Sequence, residues 1–330
     1  MTIAILGIDI AKKKFEAALI RERKTRDKSF NNNEEGFTKL AAWLQKQAVE
    51  RVHACMEATG TYGEELAIFL SSQGHKVSIV NPACIKAYGE SKLTRNKTDK
   101  SDAPLIARYC ESEKPEGWIA PAAEARRLQA MVRHLEALGE MRQQEINRLS
   151  SGIREEMVIA SLKAHIEYLD GEIEKINSQI KDHINSHPGL KKNKELLVTI
   201  PGIGEDTAIK LMAEIPDVKR YSSARQLAAH AGVTPRHHES GTSVKRASVI
   251  SKIGNARIRK ALYFPAMAAK RFNPIISAFC KRLQQRGKTK MAIIGAAMRK
   301  LLHQVFGVLK SGKAFDPHYG ARIQELALIS

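Results

Sequence analysis

Six apolar residues, Leu162, Ile166, Leu169, Ile173, Ile176 and Ile180, step along the chain by four, three, four, three and four. That spacing holds the side chains on one narrow stripe of an α-helix, the a/d seam of a heptad repeat. A strand, whose side chains alternate every second residue, cannot gather them on one face. The pattern therefore requires a long helix and a partner for its seam. Leu128, Val132, Leu135 and Leu138 carry a similar stripe upstream, taken up again by Ile146, Leu149 and Ile153, and Gly152 and Gly171 are points where a helix can bend or stop. We read Glu124 to Ile184 as a long helical hairpin or coiled coil. The narrow seam with charged flanks favours pairing between protomers; the competing reading packs the stripe onto the chain's own domains.

The residues before this segment follow a different pattern. Ile3 to Ile10 is an apolar, β-branched run, and Phe15 to Ile20 and the polar stretch Lys28 to Asn31 suit the next two strands of a meander. Phe37, Leu40, Ala41 and Leu44 have helical spacing. Arg51 to Met56 and His75 to Val80 read as strands, Tyr62 to Ser72 and Asp99 to Tyr109 as helices. A meander followed by alternating helices and strands is the order of an RNase H-like fold. After the heptads, His187-Pro188-Gly189 opens a last, mainly helical part. There Leu196 to Gly204 and Thr207 to Met212 suggest two helices around a Pro-Gly-x-Gly turn, a helix-hairpin-helix-like element. Gly202 and Gly204 would let backbone N–H groups meet a phosphate at the second helix's start. The fold class is thus α/β plus α, in three parts: residues 1–118, 119–187 and 188–330.

Charge separates the parts. The chain carries 54 Lys and Arg against 35 Asp and Glu, net +19. From Gly189 onward the balance is 26 against 8, and between Ser240 and Phe315 there are 17 basic residues and no acidic one. Unmixed charge repels itself unless a polyanion neutralises it, and nucleic acid is the usual one. Arg236, Lys245, Arg246, Lys252, Arg257, Arg259 and Lys260 are the candidate contacts. An anionic membrane would call for an amphipathic anchor, which the sequence lacks. Aromatic residues are only 5%, so phosphate contacts should outweigh base stacking. No run reaches the ~20 apolar residues of a membrane span, and the first apolar run lacks the basic flank of a signal peptide. The expected location is cytoplasmic, at the nucleoid. Cys55, Cys84, Cys110 and Cys280 form no Cys-x-x-Cys pair, which excludes the common zinc patterns and leaves free thiols.

Four carboxylates stand where chemistry is expected. Asp9 and Glu57 end two candidate strands, and Asp99 and Asp102 lie three apart on a candidate helix, facing one way. Such a group is self-repelling unless divalent cations sit within it and clamp the oxygens of a phosphodiester. Mg²⁺ or Mn²⁺ suits an all-oxygen donor set. A helix cap is the plainer reading of Asp99. Ser240, in Pro235-Arg236-His237-His238-Glu239-Ser240-Gly241, has basic neighbours able to hold a phosphate. Chemistry alone does not single it out from Ser243, Ser248 and Ser251.

The motifs together resemble the IS one-ten family of insertion-sequence transposases. They are Gly7-Ile8-Asp9, Glu57 to Gly60, Asn81-Pro82, Asn96 to Ala103, Ile200 to Gly204, Ala231 to Pro235, and Glu239 to Gly241, and the likeness continues to Lys310-Ser311-Gly312. Lys245 to Ser248 departs from the pattern by lacking a glycine. The resemblance implies a RuvC-like DEDD domain, a coiled coil and a C-terminal transposase domain. It implies recombination of donor and target DNA guided by a bridge RNA, in a homo-oligomer, dimer or tetramer. It assigns Asp9, Glu57, Asp99 and Asp102 to the metal site and Ser240 to a covalent phosphoserine link with DNA, the two centres acting together. Two other readings compete: a RuvC-like endonuclease that resolves branched DNA by hydrolysis, and a non-catalytic nucleic-acid-binding protein.

Overall fold

Three strands, β1 (Ala4–Ile10), β2 (Lys14–Arg21) and β3 (Lys24–Asn31), run antiparallel, β1 against β2 and β2 against β3. The computed structural model describes residues 4–22, 24–58, 60, 62–91, 99–240 and 244–318, without the side chains of 99–101, 236–240 and 244–249. Asn33 caps α1 (Glu34–Lys46) by accepting from the Gly36 N–H, and Glu34 and Glu35 in its first turn suit the helix dipole. Then come β4 (Val52–Glu57), α2 (Glu64–Ser72), β5 (Lys76–Val80), α3 (Pro82–Ser91) and α4 (Asp99–Glu113). The result is a mixed sheet in the order β3-β2-β1-β4-β5, with β4 parallel to β1 and β5 parallel to β4. A meander followed by alternating helices and strands is the succession expected from the sequence.

The sheet is covered on both faces. Leu6, Ile8 and Ile10 of β1 pack with Phe37, Leu40 and Leu44 of α1 and with Leu66 and Leu70 of α2. The opposite face carries Ile5, Gly7 and Asp9, and α4 lies there through Ala103, Ile106, Ala107 and Cys110. Gly7 is what lets α4 approach. A Cβ at that position would stand 2.2 Å from the Ala103 carbonyl oxygen and 2.3 Å from the Ala107 nitrogen.

The chain divides into two compact units, Met1–Ala120 and Pro121–Ser330. The second opens with α5 (Ala123–Leu149) and α6 (Glu156–Ser186), which pack as an antiparallel hairpin. Leu128 and Val132 join Ile180 and Ile184 in one core, and Arg142 grips Asp170 across the pair. The partner that α6 finds within this chain is therefore α5. Leu169 and Ile180 of the heptad seam are buried, whereas Leu162, Ile166, Ile173 and Ile176 keep part of their surface exposed.

The rest of the unit is α7 (Pro188–Val198), α8 (Glu205–Glu214), a single 3-10 turn (Val218–Arg220), α9 (Ala224–His230), the hairpin β6 (Pro235–Ser240) and β7 (Val244–Ile250), α10 (Ala256–Phe272), α11 (Pro274–Gln285) and α12 (Lys290–Ser311). These helices close over a core that includes Leu197, Leu211, Leu262, Ile276, Leu301 and Val305. By length and composition α12 could cross a membrane, but one face of it, with Ile293, Ala297, Leu301 and Val305, lies in this core. The Pro-Gly-x-Gly turn joins α7 to α8. Gly202 has φ +104, and its missing Cβ leaves room for Ala269 of α10, so packing explains that glycine. Gly204 is exposed at the start of α8, where Glu205 and Asp206 already face the helix dipole and would repel a phosphate.

Candidate active site and nucleic-acid interface

Sheet register decides where the expected carboxylates fall. Ile8 of β1 lies opposite Met56 of β4. One step further on, Asp9 and Glu57 end neighbouring parallel strands on the face that α4 covers. Both are half-buried. The contacts of α4 fix its direction. The Cys110 thiol donates to the His53 carbonyl at 3.8 Å, and Ile106 packs with Cys55. Four residues of helix and two of strand cover nearly the same length, about 6 Å. The row Cys110, Ile106, Asp102 therefore runs alongside His53, Cys55, Glu57. Asp102 begins the row at the end of the sheet that Asp9 and Glu57 occupy. Asp99 precedes Ala103, which packs over Gly7, by one turn.

Below this end the helix is locked to the sheet. The Cys55 and Cys110 thiols share a hydrogen bond, and this bond, with burial second, holds the Cys55 thiol far above its ordinary value. Cys55 is therefore a neutral packing group. Among the described residues, no three His, Cys, Asp or Glu side chains are gathered tightly enough to hold a metal ion. The Asp99 side chain lies outside that description.

Ser240 ends β6, opposite Val244 at the far end of the hairpin from its anchored base. The stretch forms a strand because β7, with Val244, Val249 and Ile250, pairs with it. Register sets Lys245 opposite Glu239 and Arg246 opposite His238, and Arg236 opposite Val249 beyond a bulge. Gly241 and Ser243 lie outside the described residues, as does any statement on the Ser240 hydroxyl. The base of the hairpin is tightly built. Ser251 and Lys252 donate to the carbonyls of Thr234 and Gly232. Lys252 itself is exposed, at φ 57. A Cβ on Gly254, at φ +131, would stand 2.2 Å from the His230 carbonyl oxygen.

Two transposase family models match the sequence, one over residues 6–157 and the other, of the IS116/IS110/IS902 family, over 194–281. The pilin gene-inverting protein of Moraxella bovis is 39% identical over 324 residues, 96% of this chain and 98% of that protein. The chain belongs to the IS110 family of transposases. The transposase of insertion sequence IS1111A from Coxiella burnetii is 26% identical over 293 residues, 81% of this chain and 78% of its own length. A Thermus thermophilus RuvC structure in complex with a Holliday junction substrate aligns over 36% of this chain at 13% identity and a TM-score of 0.25. Membership of a transposase family makes the chain a DNA-processing enzyme.

Within this IS110-family chain, three of the residues expected to contact nucleic acid also have partners inside the second unit. Arg257 pairs with Glu136, and its Nε lies 3.9 Å from Glu214. Arg259 donates to the carbonyls of Ala231 at 3.0 Å and Gly254 at 3.1 Å, tying α10 to the hairpin's base. Lys260 meets Glu140 at 2.8 Å. The acids come from α5 and α8, so a local count of charge could not foresee them. Glu214 is the centre of this network. Burial opposes its charge, yet hydrogen bonds from Arg133 and Asn255 and the charges of Arg133 and Arg257 hold its carboxyl below the ordinary value.

Proposed function

We propose that the chain breaks and rejoins DNA strands through two centres, a carboxylate set (Asp9, Glu57, Asp99 and Asp102) and a nucleophilic serine (Ser240), directed to its sites by a structured guide RNA. The observation that carries the reading is the meeting of β1, β4 and the first turn of α4 at one end of the sheet. This gives an all-oxygen donor set on elements held by close packing, which suits Mg²⁺ or Mn²⁺. A bound divalent cation would neutralise charge on the reacting phosphodiester and lower the proton affinity of an attacking oxygen.

The Ser240 hydroxyl attacks phosphorus, a phosphorus–oxygen bond to the deoxyribose breaks, and the serine proton passes to a base or solvent. The freed deoxyribose hydroxyl of a second strand then attacks the phosphoserine, and the serine oxygen leaves. One phosphoester is made for each one broken, so rejoining needs no high-energy cofactor. Arg236, Lys245 and Arg246, on the same hairpin as Ser240, would hold the phosphate during transfer. Joining two duplexes calls for at least two protomers. The guide RNA rests on the family resemblance, and the basic surplus of the second unit gives such an RNA a surface. RNA sequencing of material co-purified with the protein should recover one structured transcript.

Denaturing gels of stalled reactions test the chemistry. Protein should be attached covalently to DNA. The adduct should vanish in Ser240→Ala and persist in Ser243→Ala, and Asp9→Asn should abolish strand exchange while DNA binding remains. An adduct that survives Ser240→Ala places the nucleophile elsewhere, and cut ends without any adduct favour hydrolysis. One observation favours a specific outcome of the same chemistry. The relative that matches at 39% over nearly its whole length is a gene-inverting protein, whereas the IS1111A transposase matches at 26%. Inversion of a resident DNA segment is therefore a second reading, and long-read sequencing of cells expressing the chain separates inverted junctions from new insertions.

A further inference from the structure

Packing in the second unit engages some of its basic residues and leaves others exposed. On α10, Arg257, Arg259 and Lys260 are engaged by Glu136, Glu214, Glu140 and backbone carbonyls. At the corner between α11 and α12, Lys281, Arg282, Arg286, Lys288 and Lys290 are all exposed. Among the described residues, no carboxylate forms an ion pair with any of these five. We propose that this corner is a docking surface for the phosphate backbone of duplex DNA, and that it carries more of the chain's salt-sensitive grip than α10 does. The proposal rests on the DNA-recombining reading and adds to it the surface that holds the duplex.

Three observations support it. First, the corner is rigid. Gly287, at φ +69, donates to the Gln284 carbonyl, and Lys288 donates to that of Leu283, the paired bonds of a Schellman turn. Thr289 then caps α12 by accepting from the Ala292 N–H. Five cations within ten residues are thus held on a preformed scaffold, and little ordering remains to be done when a phosphate chain binds. Second, the charges work against the fold where they stand. Lys281 and Arg282 suit the C-terminus of α11, but Lys288 and Lys290 flank the N-terminus of α12, whose first turn has no acid. Cations there oppose the helix dipole. An anion at that place reverses the sign of the interaction. Third, no Phe, Tyr or Trp occurs between Phe279 and Phe306. The corner therefore lacks the stacking platform that unpaired bases require, which points to a duplex backbone.

Salt titration of the full-length chain on a non-cognate duplex of about 30 base pairs, followed by fluorescence anisotropy, tests this. Each phosphate contact adds about 0.9 to the slope of log K against log salt. Replacing all five cations by Gln should make that slope shallower by about 4. The pair Lys288→Gln and Lys290→Gln alone should make it shallower by about 2. The pair should also melt no lower than the parent, because it relieves the clash with the dipole. Lys260→Gln should leave the slope within about 0.5 of the parent. Unchanged slopes in both multiple variants overturn the proposal, as does a loss confined to duplex RNA. A parent chain that binds no duplex DNA at all would instead overturn the recombination reading on which the proposal depends.

Discussion

Substituting Gly7 by alanine adds one methyl group between β1 and α4. Its carbon would lie 2.2 Å from the Ala103 carbonyl oxygen, 2.3 Å from the Ala107 nitrogen and 2.8 Å from the Ala107 Cα. All three are backbone atoms, so no side chain can rotate aside. Restoring ordinary contact at 3.4 Å or more requires α4 to move off the sheet by about 1 Å. Overpacking of this kind costs about 1–3 kcal/mol. For a unit of this size that lowers the melting temperature by roughly 5–15 °C. Folding should survive, because the other face of the sheet, built on Leu6, Ile8 and Ile10, is untouched.

The larger effect should be on chemistry. Ala103 and Ala107 lie on the helix face that also carries Asp99 and Asp102, so a shift of α4 moves two of the four proposed metal ligands relative to Asp9 and Glu57. A misplacement of about 1 Å costs on the order of 100-fold in rate. Strand cleavage by Gly7→Ala, measured beside its melting curve, should therefore fall about 100-fold at temperatures where the protein stays folded. Duplex binding, which we place on the other unit in the proposal above, should be retained. Cleavage and melting both equal to the parent would refute the close packing of α4 on β1. A destabilised protein with undiminished cleavage would refute the link between that packing and the carboxylate set.

Two further outcomes follow from the second unit. Glu214 has a depressed carboxyl pKa, so the stability it contributes is complete above its ordinary value of 4.5 and lost as pH falls through the lower folded value. Glu214→Gln should lower stability near neutrality by about 3 kcal/mol and flatten the acid limb of a pH–denaturation profile, and a limb of undiminished steepness would contradict this. Ile166→Asp with Ile173→Asp places charge on the part-exposed seam of α6. Light scattering should show smaller particles than the parent if the seam also joins protomers, and an unchanged particle mass would confine its role to the α5–α6 hairpin.

Local pattern made the first unit legible. Apolar, β-branched residues marked β1 and β5, a short run ahead of Glu57 marked β4, helical spacing marked α1 and α2, and the positions of Asp9 and Glu57 at strand ends could be read before any register was known. Gly7 could not be recognised the same way, because in a run such as Ala4-Ile5-Leu6-Gly7-Ile8 a glycine reads simply as a small strand residue. Its significance lies in the backbone of a helix almost a hundred residues later in the chain. β6 was missed for a related reason. Pro235-Arg236-His237-His238-Glu239-Ser240 has little strand propensity of its own, and its strand exists through pairing with β7. The heptads required a long helix and offered a hairpin or a coiled coil between protomers without deciding between them. Antiparallel α5 supplies a complementary stripe together with cross-pairs such as Arg142 to Asp170, all of them long-range in sequence.

Charge shows the same limit most clearly. The 17 cations between Ser240 and Phe315 suggested a nucleic-acid surface running through the start of α10, because no acid lies nearby in the sequence. Folding brings the acids in. Arg257 and Glu136 are 121 positions apart, and Lys260 and Glu140 are 120 apart. A sequence count therefore cannot separate cations that have acidic partners in the fold from those that have none. Arg257 and Lys260 of α10 pair with acids of α5 and α8, while among the described residues no carboxylate forms an ion pair with the five cations of the α11–α12 corner. The structural charges and the binding charges can be separated by experiment. Removing a paired cation such as Arg257 takes from Glu136 its ion-pair partner and should appear mainly as lost stability. Removing an unpaired one such as Lys288 should appear mainly as a change in salt dependence.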